Sequence, residues 1–402
     1  MNLRIHRSEP KGTVYAPPSK SMAHRLLICA AMAEGISTIR GINLCLDVLA
    51  TIDSLTALGV NIDVSDSVVT VKGIDMRSAS PRSALNCSES GSTLRFLIPP
   101  ALLSGKNAIF FGAPSLMRRP MNIYNEICDK HGMLCHCDGN TVAVRGPLKS
   151  GEYEIAGNVS SQFISGLLFA LPILDSDSKI KIIPPVESRS YIDLTIEALS
   201  YFGVRVRWID DTTLFIKGKQ KYLPTTLNVE GDYSASAFID ALSVFGYDVR
   251  TENLNPNSIQ GDKVYKTFYE MLKRGVPTIH IADCPDLGPI LFAVAAAKHG
   301  GVFTGTKRLK IKESDRASAM ATELSKFGVS VKVLEDKVIV YPASFHAPSE
   351  PLLGHNDHRI VMALSILLTL TGGTIKGVEA VKKSYPDFFD DLSSLGVKIE
   401  KI

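Results

Sequence analysis

Apolar positions along the chain fall into two kinds of block that alternate. The first kind is an almost unbroken apolar run opened by small polar residues. It occurs at 22–33 after Ser19-Lys20-Ser21, at 93–103 after Ser90-Gly91-Ser92 and at 163–171 after Ser160-Ser161-Gln162. It recurs at 235–244 after Asp232-Tyr233-Ser234, at 287–298 behind Asp286, and at 360–370 after Asp357-His358-Arg359. Such runs predict buried helices, and their openers suit helix N-caps. The second kind ends in a recurring unit: Leu58-Gly59-Val60, His131-Gly132-Met133, Phe202-Gly203-Val204, Arg274-Gly275-Val276, Phe327-Gly328-Val329 and Leu395-Gly396-Val397. A glycine there predicts a helix closed by a left-handed residue. Period-2 alternation follows, as in Val329-Ser-Val-Lys-Val, and predicts strands.

The six glycines lie 73, 71, 72, 53 and 68 residues apart. The pattern is therefore a repeated helix–strand–helix–strand–strand unit in six copies, the fourth shortened. Three copies per domain give an α/β protein of two similar domains. A single doubly wound sheet would need six such coincidences. The polar stretch at 217–227, with Pro224, suits the boundary.

Composition narrows the class. The chain has 402 residues, 45% hydrophobic and 21% charged, which excludes general disorder, a collagen-like repeat and a coiled coil. A net charge of +3 gives no bulk reason to expect nucleic acid or an anionic membrane as partner. No apolar run approaches the ~18 residues of a membrane span. The first residues lack the apolar core of a signal peptide. Seven cysteines, an odd number, do not form a disulfide framework, so the reading is a reduced, cytoplasmic protein. Cys135-His136-Cys137 falls on a strand with both thiols on one face and has no second ligand pair, so no metal site is expected. Phosphate-loop and dinucleotide glycine motifs are absent.

Local charge carries the chemical signal. Helix N-termini attract anions. Several of those predicted here also carry cations that a cap does not need: Lys20 and Arg25, Arg95, and Arg359. The segment 307–316 holds five cations and two carboxylates. Arg118-Arg119-Pro120, with Pro120 suited to a first helical turn, the polar run His355-Asn-Asp-His-Arg359, and Lys382-Lys383 add to the set. Each alone reads as a cap or a solvated loop. Together they suit highly charged anionic ligands.

In order along the chain, these segments resemble the 5-enolpyruvylshikimate-3-phosphate synthase family. The resemblance rests on Pro18-Ser-Lys-Ser-Met-Ala-His-Arg25, Ser88-Glu-Ser-Gly-Ser-Thr-Leu-Arg95, Arg119-Pro120-Met121, Ser160-Ser-Gln162 and Ser188-Arg-Ser-Tyr-Ile-Asp193. It continues with Pro285-Asp286, Lys312-Glu-Ser-Asp-Arg316, Asn356-Asp-His-Arg359 and Lys383-Ser-Tyr-Pro386. It implies an inside-out α/β barrel fold: two hinged domains of three βαβαββ repeats each, with the active site in the cleft between them. The domains would be 13–228, and 1–12 with 229–402. It further implies transfer of the carboxyvinyl group of phosphoenolpyruvate to the 5-hydroxyl of shikimate 3-phosphate, without a metal or organic cofactor, by a monomer.

Residue roles follow from the same resemblance. Lys20, Ser21, Arg25, Ser160, Ser161, Gln162, Ser188, Asp286 and Lys312 are expected at shikimate 3-phosphate. Lys20, Gly91, Arg119, Gln162, Arg316, Arg359 and Lys383 are expected at phosphoenolpyruvate, and Gly91 implies that glyphosate can enter there. Asp286 is the expected base, and Lys20 and Glu313 are both candidate proton donors. The chain departs from the common family pattern at Pro18, at Ala23-His24, in Glu89-Ser-Gly-Ser-Thr93, at Ser190 and at Arg308. Two alternatives remain open: the same chemistry on UDP-N-acetylglucosamine, and a non-catalytic anion-binding module.

Overall fold

The computed structural model describes residues 1–402 as two compact units, one contiguous (Pro18–Glu230) and one split (Met1–Pro17 with Gly231–Ile402). The boundaries expected from sequence, 12/13 and 228/229, lie five and two residues earlier. Each unit buries its own hydrophobic core.

The repeat is visible as a sheet built the same way in five copies. Its first strand pairs parallel with the second, the second antiparallel with the fourth, and the third lies at the far edge. Leu85–Asn86, Asn107–Phe111, Thr141–Arg145 and Leu134–Cys137 stand side by side in this way. So do Glu152–Ala156, Ser178–Ile183, Thr213–Ile216 and Val206–Trp208, and Thr278–His280, Gly301–Thr304, Lys337–Val340 and Val331–Val333. Two copies borrow a strand from far along the chain. Thr226–Asn228 lies parallel to Gly35–Arg40 and completes the first copy. Asn2–Ile5 sits between Gly373–Lys376 and Ile399–Lys401 and completes the last.

The fourth copy is reduced to Gly12–Tyr15 paired with Val249–Glu252. Its closing hairpin is absent, which accounts for the short spacing and corrects one expectation. Gly59, Gly132, Gly203, Gly328 and Gly396 have φ of 105°, 69°, 78°, 82° and 89°. Gly275, by contrast, is extended at φ 165°. The helix Tyr265–Arg274 has no hairpin to enter, so the chain runs straight on to Thr278–His280.

Two classes of helix follow from the two kinds of apolar block. Lys20–Met32, Gly91–Leu102, Ser161–Ala170, Tyr233–Val244, Gly288–Ala297 and His358–Thr371 are buried nearly all round. The second helices of the repeats, such as Asn122–His131 and Tyr265–Arg274, bury one stripe only. Pro120 lies ahead of the N-cap Met121 and not in the first turn of Asn122–His131, contrary to expectation.

The helix Gly91–Leu102 contains Pro99 and Pro100. Pro99 has no N–H for the carbonyl of Arg95, four residues back. The Tyr124 hydroxyl donates to that carbonyl instead, at 2.7 Å. Gly166 of the neighbouring helix makes room for this, because a Cβ there would sit 2.2 Å from the Tyr124 oxygen. No helix is long and apolar enough to cross a membrane.

Candidate active site

In the contiguous unit the candidate residues gather at three helix starts, each capped as its opener predicts. The Ser19, Ser90 and Ser160 side chains accept from the N–H groups of Met22, Thr93 and Gln162. Lys20 Nζ lies 2.8 Å from Asp47 Oδ2. Arg25, one turn on, is buried. It donates to Thr195 Oγ1 (2.8 Å), Tyr191 O (2.9 Å) and the carbonyl of Ser21 (2.6 Å), and its guanidinium lies 5.0 Å from the centre of the Phe96 ring. None of these partners is a carboxylate. Burial pushes the Arg25 guanidinium down to about 10.

Gly91, Arg119 and Gln162 converge. A Cβ on Gly91 would stand 2.9 Å from Arg119 Nη1 and 3.5 Å from Gln162 Oε1. Gln162 is fixed at both ends of its amide: Arg95 Nη1 donates to Oε1 (2.8 Å), and Nε2 donates to Ser92 Oγ (3.1 Å). Ser161 is buried at the start of its helix. Ser188 is buried with a left-handed backbone (φ 56°), immediately before the helix Arg189–Tyr201 that carries both Tyr191 and Thr195.

A buried relay stands behind these residues. His24 Nδ1 is 2.7 Å from Thr51 Oγ1, which is 2.7 Å from Thr93 Oγ1, which in turn donates to Ser90 Oγ at 2.8 Å. The relay thus ends on the residue that caps the Gly91 helix. Burial, then the Lys20 and Arg25 charges, hold the His24 imidazole well below its ordinary value, so it is neutral.

The split unit is organised by Arg316, which is 1% exposed. Asp315 caps its helix by accepting from Ser318 N. The guanidinium grips three carboxylates: Nη1 donates to Asp286 Oδ1 (2.7 Å), Nη2 to Glu313 Oε2 (2.7 Å) and Nε to Asp357 Oδ2 (2.9 Å). Asp286 stands in a short turn, Pro285–Leu287, ahead of its helix. It also receives Lys312 Nζ at 3.2 Å, and Arg359 Nη2 lies 3.7 Å away. Burial would raise the Asp286 carboxyl, but Lys312, Arg316 and Arg359 outweigh it and hold the group well below the usual carboxylate range. The net result is an ionised acceptor among cations.

Asp357 caps Arg359 N at 2.9 Å, and Arg359 Nη1 donates to Ser234 O at 3.1 Å. Lys383 Nζ reaches the carbonyl of Asn356 at 2.6 Å. Asp286, Lys312, Glu313, Arg316 and Arg359 therefore form one cluster, with Lys383 held on the loop beside Asp357.

Sequence reasoning missed the partners. Asp47 had no distinguishing signal. Asp357 lay inside the quoted run Asn356-Asp-His-Arg359 but was assigned no role beyond opening a helix.

Comparison with known proteins gives a consistent result. The family model described as EPSP synthase (3-phosphoshikimate 1-carboxyvinyltransferase) matches residues 6–392. The 3-phosphoshikimate 1-carboxyvinyltransferase of Clostridium perfringens (strain 13 / Type A) is 38% identical over 414 residues, covering 98% of this chain and 97% of the relative. That of Clostridium novyi (strain NT) is 39% identical over 430 residues, covering 100% and 98%. Among solved structures, an EPSP synthase from Acinetobacter baumannii superposes with a TM-score of 0.79 at 26% identity, covering 99% of each chain. The enolpyruvyl transferase NikO from Streptomyces tendae shares the fold, with a TM-score of 0.78 at 15% identity over 99% and 98% of the two chains.

Proposed function

The chain belongs to the EPSP synthase (3-phosphoshikimate 1-carboxyvinyltransferase) family, and from that premise we propose how its own residues divide the work. The reaction moves the carboxyvinyl group of phosphoenolpyruvate to the 5-hydroxyl of shikimate 3-phosphate and releases phosphate. Both substrates carry a phosphate and a carboxylate, which arginine forks and helix N-termini suit.

Arg25, Ser21, Ser160, Ser161, Gln162, Ser188, Lys20 and Lys312 take shikimate 3-phosphate. Lys20, Gly91, Arg119, Gln162, Arg316, Arg359 and Lys383 take phosphoenolpyruvate. Asp286 accepts the proton of the 5-hydroxyl as the oxygen adds to C2 of phosphoenolpyruvate. A proton goes to the methylene carbon in the same addition. The resulting tetrahedral intermediate loses phosphate and a methyl proton, which regenerates the vinyl group. Lys20 is the favoured donor to the methylene carbon, because Glu313 Oε2 is already engaged by Arg316 Nη2 at 2.7 Å. The protein acts as a cytoplasmic monomer.

The observation that carries this reading is the grouping of Asp286 with Lys312, Arg316 and Arg359. It supplies an ionised base inside an anion-binding set. Phosphate release tests it, measured with shikimate 3-phosphate, with UDP-N-acetylglucosamine, and with neither. Release only with shikimate 3-phosphate is expected. Release only with the UDP-sugar moves the substrate assignment, and none with either leaves an anion-binding module.

A further inference from the structure

Glu323 lies near the far end of the helix whose first residue is Arg316, and the chemistry above makes no use of it. Its side chain is wholly buried. Oε1 is 2.8 Å from His355 Nε2, and Oε2 accepts from Leu353 N at 3.0 Å and lies 2.9 Å from Lys326 Nζ. Burial alone would raise this carboxyl, but His355, Lys326 and the Leu353 N–H bring it below its ordinary value.

The residue it holds is strained. His355 and Asn356 have φ of 50° and 51°, two non-glycine residues in succession in the left-handed region. L-residues visit that region singly, and such strain persists only where the surroundings over-determine it. The turn has a use. It points the Asn356 carbonyl at Lys383 Nζ, 2.6 Å away. It also delivers Asp357, which receives Arg316 Nε and caps Arg359 N. Three cations assigned to phosphoenolpyruvate thus meet at one turn, and His355 ties that turn to the helix Arg316–Ser325.

We propose that the Glu323–His355 pair is a positioning device for phosphoenolpyruvate: it pins the turn at 355–356 and through it sets Lys383, Arg316 and Arg359. Neither side chain touches substrate. The proposal rests on the assignment of those three cations to phosphoenolpyruvate. It also absorbs His355, which the polar run 355–359 contained without a role.

The test is steady-state kinetics with both substrates, and thermal melting, for His355→Gly, Glu323→Gln, their double variant, and Lys383→Met. Glycine accepts the left-handed backbone without strain, so His355→Gly removes the imidazole and leaves the turn possible. The expected result is a KM for phosphoenolpyruvate raised about tenfold in each single variant, the loss of one charge-assisted contact. The double variant is no worse than Glu323→Gln alone, because His355→Gly breaks a link that Glu323→Gln has already broken. The kcat and the KM for shikimate 3-phosphate stay within about twofold. Lys383→Met also raises the KM for phosphoenolpyruvate.

If His355→Gly leaves that KM unchanged while Lys383→Met raises it, the positioning role is overturned and the cation assignment stands. Both KM values rising together with a lower melting temperature also overturns it, since the pair is then general scaffold. If Lys383→Met leaves the KM unchanged, the cation assignment itself fails, and the proposal with it. Should Glu323→Gln not fold, His355→Gly decides alone, its side chain being 28% exposed in the native protein.

Discussion

Arg25 in the contiguous unit and Arg316 in the split unit are both buried guanidinium groups, held by opposite means. Arg25 rests on a hydroxyl, two carbonyls and an aromatic face. Arg316 sits among Asp286, Glu313 and Asp357. A buried charge without a counter-charge is costly, and the lowered Arg25 value expresses that cost. The missing negative charge is then the ligand's to supply, which makes the contiguous unit receptive to a dianion. In the split unit three carboxylates offset part of the cationic charge before any ligand is bound. That arrangement keeps Asp286 ionised, as the proposed role of base requires. One arginine has only neutral partners, and the other is set among carboxylates that include the proposed base.

The sharpest way to break this contrast is to remove the proposed base. Asp286→Asn is expected to lower kcat by about 10²–10⁴-fold, the usual worth of a general base, while shikimate 3-phosphate still binds by calorimetry. An undiminished kcat would remove Asp286 from the mechanism. Removing the two arginines sharpens it next. Arg316→Met leaves three carboxylates without their common partner and should cost about 3–5 kcal/mol in chemical denaturation. Arg25→Met replaces a charge that has only neutral partners. It should cost less than Arg316→Met, about 1–3 kcal/mol for acceptors left without a donor, yet abolish measurable binding of shikimate 3-phosphate. Equal destabilisation by the two substitutions would erase the distinction.

Gly91→Ala is a smaller perturbation, confined to the contiguous unit. The added Cβ meets the far end of the Arg119 side chain at 2.9 Å, so the side chain shifts and the backbone does not. The expected result is a KM for phosphoenolpyruvate raised about tenfold, as for one weakened charged hydrogen bond, with an unchanged melting temperature. A last effect concerns pH. The folded His24 stays neutral below the ordinary 6.5, whereas the unfolded one takes up a proton there. The unfolded state therefore binds more protons, and stability falls as pH drops below 6.5, by about 1.4 kcal/mol per unit until the folded value is reached. Denaturation midpoints of wild type and His24→Gln between pH 7 and 5 should show a shallower slope in the variant.

What the sequence made legible was whatever repeats. The alternation of apolar runs with glycine-ended helices foretold the sheets and the two helix classes, because helix closure and strand alternation are local. Gly275 misled, since its residue type signals a left-handed turn only where a hairpin follows, and the missing hairpin is a long-range fact. The helix starts at Ser19, Ser90, Ser160, Asp232 and Asp357 were readable as caps from a few residues each. The partners of the cations were not. Asp47 meets Lys20 across 27 positions and Asp357 meets Arg316 across 41, and nothing in either neighbourhood announces the pairing. His355 stood in plain view as polarity, but its use depends on Glu323, 32 positions earlier.

The borrowed strands have a consequence for how the protein is made. Residues 18–230 hold every strand of their three sheets, so that unit can close while the rest is still being translated. The other cannot. Asn2–Ile5 belongs between Gly373–Lys376 and Ile399–Lys401, so a segment made before the contiguous unit waits for partners made after it. Until then the edges that it will cover stay open to other chains. Vectorial synthesis therefore gives the two halves different exposure to aggregation and to chaperones, and the half that carries Asp286 is the one that finishes last.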